Sequence, residues 1–141
     1  MGRQLAAVAL ALAISSSLAA AQTKKPAGPK PSTYDVTIVA DGAPHTGQMQ
    51  LVVSGGKVTG SMHITQPTEI TGKAAGTVKA GEMLLDFPYQ MVQRNCTGQI
   101  EMKFKAPAKG GGSTGTVGIV GCGRDASNKL TGTIELTLAK K

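Results

Sequence analysis

The chain has 141 residues, a formal net charge of +7, two cysteines and no tryptophan. Most of the charge sits in the tails: between residues 33 and 139, seven Lys and two Arg meet eight acids, a net of +1. Nucleic-acid surfaces need clustered cations and, for single strands, stacking aromatics, so this composition speaks against nucleic acid as a partner.

Residues 1–21 read as a secretory signal peptide. Arg3 gives a positive start, an apolar run follows over 5–14, and Ala19-Ala20-Ala21 supplies the small-x-small cleavage pattern. The run is too short for a permanent membrane helix. Cleavage before Gln22 leaves about 120 residues, enough for one small domain. The expected location is therefore periplasmic or secreted, and the product does not span a membrane. Residues 22–32 (QTKKPAGPKPS) form a basic, Pro-rich linker. They are expected to be either a solvated spacer or a contact for an anionic envelope polymer.

From residue 33 to 139 the chain reads as one all-β domain. Alternating runs bounded by Gly, Pro, Asn and Asp predict eight strands at 33–40, 46–54, 57–65, 69–79, 82–92, 96–105, 114–122 and 129–138. Short connections favour antiparallel neighbours. Gly55-Gly56 predicts a two-residue turn that sets Met49 opposite Met62 and Leu51 opposite Gly60. Ala80-Gly81 predicts a turn that sets Gly76 opposite Leu85, Ala74 opposite Phe87 and Gly72 opposite Tyr89. In the third hairpin, matching Phe104 with Thr114 brings Cys96 opposite Cys122. An even cysteine pair in an exported chain predicts a disulfide. That register also sets Ile100 across from Gly118, although Val117 and Ile119 have the inward pattern, so a bulge at Gly118 or Gly121 is expected.

Six strands carry a Thr-Gly pair, at residues 46–47, 59–60, 71–72, 97–98, 114–115 and 131–132. Each glycine generally shares parity with the apolar residues that follow, which predicts threonine outward and glycine inward. Missing inward side chains let strands bend over a small interior. The predicted fold is a small antiparallel up-and-down β-barrel of eight strands. The alternative is a two-sheet β-sandwich, for which Pro88 is the argument: inside a strand, proline marks an edge or a bulge. A membrane barrel needs an apolar outer band with aromatic girdles. Here the outward residues are Thr, Gln, Lys and Glu. In plan the chain resembles avidin-like and lipocalin-like barrels, in architecture alone; it lacks the tryptophans of those families, and no site is transferred from them.

Two catalytic patterns are absent: there is no His-x-x-x-His pair, and no Cys-His couple once the cysteines are joined. The chain is expected not to be an enzyme, with no cofactor and no metal. His63 is expected to face solvent opposite Gln48. Met49, Met62, Met83, Met91 and Met102 share the inward parity; soft thioethers suit Cu(I), but flexible core filling accounts for them more simply. At one rim the turns gather Arg94, Asn95, Cys96, Cys122, Arg124 and Asp125. Two guanidinium groups there are suited to a carboxylate or phosphate head, with Met49, Met62, Met102, Phe87 and Tyr89 receiving an apolar body. The competing expectation is that Arg124 pairs with Asp125. The function these residues point to is non-catalytic binding of a small apolar or amphipathic ligand. The rival is a structural or interaction protein of the cell envelope with a solid core. The strand 82–92 lacks the Thr-Gly pair and carries the largest inward residues, so a site is expected beside it.

Overall fold

A computed structural model of the protein describes residues 29–108 and 111–140. The expected signal peptide and most of the basic linker lie outside the described residues. Eight strands follow one another in chain order: β1 (Ser32–Val39), β2 (Pro44–Ser54), β3 (Lys57–Gln66), β4 (Ile70–Lys79), β5 (Glu82–Met91), β6 (Cys96–Lys105), β7 (Ser113–Gly121) and β8 (Leu130–Leu138). Each pairs antiparallel with the next, and β1 pairs with β8, so the sheet closes into a barrel. Closure rules out the sandwich, because every strand has two hydrogen-bonded neighbours and no edge remains.

Alternation along each strand decides what is inside. In β5, Met83, Leu85, Phe87 and Tyr89 are buried while Leu84, Asp86, Pro88 and Gln90 are exposed. The other strands follow the same period of two, except that β7 also buries Gly118 beside Val117 under the Lys129 side chain, and the inward apolar residues join one hydrophobic cluster. The two short hairpins have the expected registers, with Met49↔Met62, Leu51↔Gly60, Gly76↔Leu85 and Gly72↔Tyr89. Gly55 and Gly56, at φ 59° and 78°, supply the left-handed turn that right-twisting strands need.

The Thr-Gly rule acquires a sharper physical reason. A Cβ built on any of the six glycines would overlap a carbonyl of the adjacent strand: His63 at Gly47, Gln50 at Gly60, Pro88 at Gly72, Val120 at Gly98, Lys103 at Gly115 and Val39 at Gly132. The glycines therefore do more than leave interior space. They let neighbouring backbones pass close enough for a narrow barrel to coil and shut.

Two sequence expectations are corrected. Pro88 marks neither an edge nor a bulge: β5 is flanked by β4 and β6, and Pro88 faces Gln99 in an unbroken ladder. On the other side the ladder skips Lys73 and Ala74, between Gly72↔Tyr89 and Ala75↔Asp86. A residue without an N–H is accommodated by that gap, with the register kept. In the β6–β7 hairpin the register differs by one from the expected pairing: Phe104 meets Gly115, Met102 meets Val117 and Ile100 meets Ile119. Val117 and Ile119 thereby keep the inward parity that the pattern demanded. The cysteines still join, with Cα atoms 5.3 Å apart, because the chain leaves β7 through three left-handed residues: Gly121 (φ 97°), Cys122 (φ 52°) and Gly123 (φ 90°).

Strand direction sorts the connections to the two ends. One end holds the tight turns at 55–56 and 80–81, the 106–112 connection, and both ends of the described chain. The other holds the connections 40–43, 67–69, 92–95 and 122–129, and it carries the disulfide.

Candidate functional site

A cavity of about 150 Å³ opens at the disulfide end. Its lining is aliphatic, from Ile38, Ile64, Ile70, Ile100, Ile119 and Leu130, with Tyr89 and Met91 on one wall. Asp41, His45, Arg94, Cys122 and Arg124 supply the polar lining. Larger hollows of about 890 Å³ and 700 Å³ lie on the outside of the barrel. They are open troughs between outward residues such as Thr77, Asp86 and Lys103, or Asp35, Gln48 and His63. The end cavity is where apolar enclosure and convergent polar groups coincide.

β1 and β5 stand opposite each other in the ring of eight, and they are the two strands without a Thr-Gly pair. Tyr89 of β5 leans over Gly98 of β6, where a Cβ would press on the phenol ring. The Tyr89 hydroxyl then reaches only a long contact, 3.4 Å, to the Val120 carbonyl. Burial pushes its pKa above the ordinary phenol value, against the pull of the Arg124 charge.

Arg94, Arg124, Tyr89 and Cys122 of the Cys96–Cys122 disulfide share the lining of the end cavity. The structure sets Phe87, Met49, Met62 and Met102 elsewhere: they are fully buried in the packed core, and none of them lines the end cavity. The apolar lining comes instead from isoleucines at strand ends.

Arg124 is not paired with Asp125. Asp125 accepts from the Ser127 amide (2.9 Å), the Ser127 hydroxyl (2.5 Å) and the Asn128 amide (3.3 Å), capping its own loop. Those bonds, led by the Ser127 hydroxyl, hold its pKa below the ordinary 3.8. The linked stabilisation is present above pH 3.8 and is lost as pH falls through the lower folded value. Acid titration followed by NMR is expected to move the Ser127 and Asn128 amide shifts with a midpoint below pH 3.8. A midpoint at or above pH 3.8 would contradict the capping role. Among the described residues, neither Arg94 nor Arg124 has an ion-pair partner.

Asp41 and His45 were not singled out from the sequence as site residues. Their signal was the parity of His45 with Gly47, Met49 and Leu51, which points the imidazole inward. His45 Nε2 lies 3.1 Å and 3.3 Å from the two Asp41 carboxylate oxygens, and the Ala43 amide donates to the same carboxylate at 3.2 Å. Burial raises the Asp41 pKa, but the Ala43 and His45 bonds outweigh it and leave the group below its ordinary value. His63 behaves as expected: it pairs with Gln48 on the outer face and meets Glu69 at 3.0 Å.

Comparison with known proteins adds no assignment: no family model, curated protein or solved structure matches the chain. Among the described residues no helix is long and apolar enough to cross a membrane.

Proposed function

We propose that this chain is an exported, non-catalytic binding barrel, periplasmic or secreted, that holds a small amphipathic anion at its disulfide end. One observation carries the reading: two arginines that have no carboxylate partner among the described residues share the lining of an aliphatic cavity. Guanidinium groups suit a carboxylate or phosphate held in two-point fashion, and the isoleucines suit an apolar body. Size limits that body. Ordinary small-molecule sites run from roughly 300 to 1,000 Å³, whereas a cavity of about 150 Å³ takes a single benzene-sized ring. The polar head therefore remains at the mouth. The disulfide agrees with export, since such bonds persist in oxidising compartments.

Benzoate is the simplest probe. Isothermal titration should give saturable one-to-one binding, weakened at least about tenfold in Arg94→Gln/Arg124→Gln, a loss of the size expected for charge-assisted hydrogen bonds. Binding that is unchanged in the double variant would overturn the assignment, as would no saturable binding by benzoate, short-chain carboxylates or small phosphates. A second reading, a structural or interaction protein of the envelope, draws its support from the packed mid-barrel, where Phe87 and Met49 are 0% exposed. In that reading the expected basic linker supplies the contact with an anionic polymer.

A further inference from the structure

The mouth of the end cavity carries charge of both signs. Arg94 and Arg124 are exposed there, and Asp41 lines the same space with its side chain 46% exposed, so all three groups can be reached from solvent. They do not neutralise one another. Among the described residues neither arginine has an ion-pair partner, and Asp41 meets only His45 and the Ala43 amide. Those contacts hold Asp41 below its ordinary 3.8, so it is ionised at neutral pH. They also leave it room to accept: a carboxylate has roughly four lone-pair directions, and the contacts place two on Oδ1 and one on Oδ2.

This arrangement sets three conditions on a ligand. It needs an anion for the arginines. A plain carboxylic acid, however, brings its charge to the mouth that Asp41 shares, and like charges repel. An acid with a cation close to its carboxylate turns that repulsion into attraction. The third condition is the aliphatic interior, where about 150 Å³ takes one compact apolar group and no more. An α-amino acid meets all three, because carboxylate, ammonium and side chain radiate from one carbon. We infer that the end cavity is a site for a free aliphatic α-amino acid of the size of valine, leucine or isoleucine. Its carboxylate meets Arg94 and Arg124, its ammonium donates to Asp41, and its side chain lies among the isoleucines. The carboxylate contact rests on the function proposed above; the ammonium contact does not, and it selects amino acids over plain acids. Three contacts around a chiral carbon also tell mirror images apart.

Leucine, 4-methylpentanoate (leucine without its amino group) and leucinamide (leucine without its carboxylate), titrated calorimetrically at pH 7 into the full-length protein with its disulfide intact, separate the contacts. Benzoate is the reference for the anion site. We expect leucine to bind at least about fivefold more tightly than 4-methylpentanoate, the size of one partly exposed ion pair, and its two enantiomers to differ by a similar factor. Leucinamide should bind at least about tenfold more weakly than leucine, the loss of charge-assisted hydrogen bonds to the arginines. Asp41→Asn should lower leucine affinity and erase its advantage over 4-methylpentanoate. If 4-methylpentanoate or benzoate binds and leucine binds no better, the amino-acid assignment is overturned and the anion site stands. Indistinguishable enantiomers, or a leucine advantage that survives Asp41→Asn, would overturn it as well. Failure of leucine, 4-methylpentanoate and benzoate alike would overturn both readings.

Discussion

Gly72→Val is expected to cost more than about 3 kcal/mol, the upper part of the range for overpacked cores. In a domain of this size that lowers the melting temperature by at least about 12 °C. The reason is that relief is blocked on two sides. A Cβ at Gly72 runs into the Pro88 carbonyl of β5 and also meets the Phe87 ring, whose Cζ would lie 2.9 Å away. Phe87 is itself fully buried, so the ring has nowhere to swing. The backbone cannot yield without tearing the β4–β5 ladder, and in a closed barrel that strain passes to every other seam. Gly111→Ala is the control. Its new Cβ finds ordinary contacts at 3.5 Å and 3.7 Å, and the melting temperature should change by less than about 2 °C, as for neutral surface changes. Thermal unfolding followed by circular dichroism measures both. A Gly72→Val barrel that melts like the parent would refute the close-approach account of the Thr-Gly pairs.

Cys96→Ser/Cys122→Ser should destabilise the protein by about 3.5 kcal/mol, from the chain-entropy cost of reopening the loop that spans the 26-residue separation. Here the bond also holds a strained segment. Cys122 is a non-glycine residue at φ 52° between two left-handed glycines, a conformation that survives where its surroundings enforce it. The surroundings are the disulfide, the Cys122 amide on the Thr97 carbonyl (3.2 Å) and the paired amides and carbonyls of Gly121 and Arg124. Releasing the bond frees Arg124 along with the segment. Two effects are therefore expected in the double variant: a melting temperature lower by roughly 15–25 °C, and benzoate affinity reduced toward that of Arg124→Gln at temperatures where the barrel remains folded. Stability lost with affinity retained would mean that the loop places Arg124 unaided.

The barrel was legible in the sequence because three independent signals agreed: strand parity, two-residue glycine turns, and glycines repeated at the bend of most strands. Met49↔Met62 and Gly72↔Tyr89 could be paired on paper, since a Gly-Gly or Ala-Gly turn leaves one register open. The β6–β7 pairing could not. Its connection, 106–112, is long enough to allow neighbouring registers, and the compensating left-handed exit at 121–123 is invisible until the strands are laid side by side. Arg94 and Arg124 were found because the disulfide tied their loops together. The methionines were placed at the cavity on parity alone, and parity tells inside from outside without telling middle from end. Likewise Asp125 sits next to Arg124 in the chain, yet the amides of Ser127 and Asn128 offer it nearer hydrogen bonds. Asp41 and His45 belonged to a stretch read as a turn, so their meeting across it went unremarked.

The β1–β8 seam has one further consequence. It lays the first and last strands side by side, with the Ala139 amide on the Thr33 carbonyl at 3.0 Å. The chain therefore enters and leaves at the same pole, where Lys30 and Lys140 are exposed, while the arginine-lined mouth occupies the opposite pole. The molecule is a vessel with its handles on the base. If the proposed contact with an anionic surface is made through Lys30 and Lys140, the barrel would stand upright on it with its opening facing away.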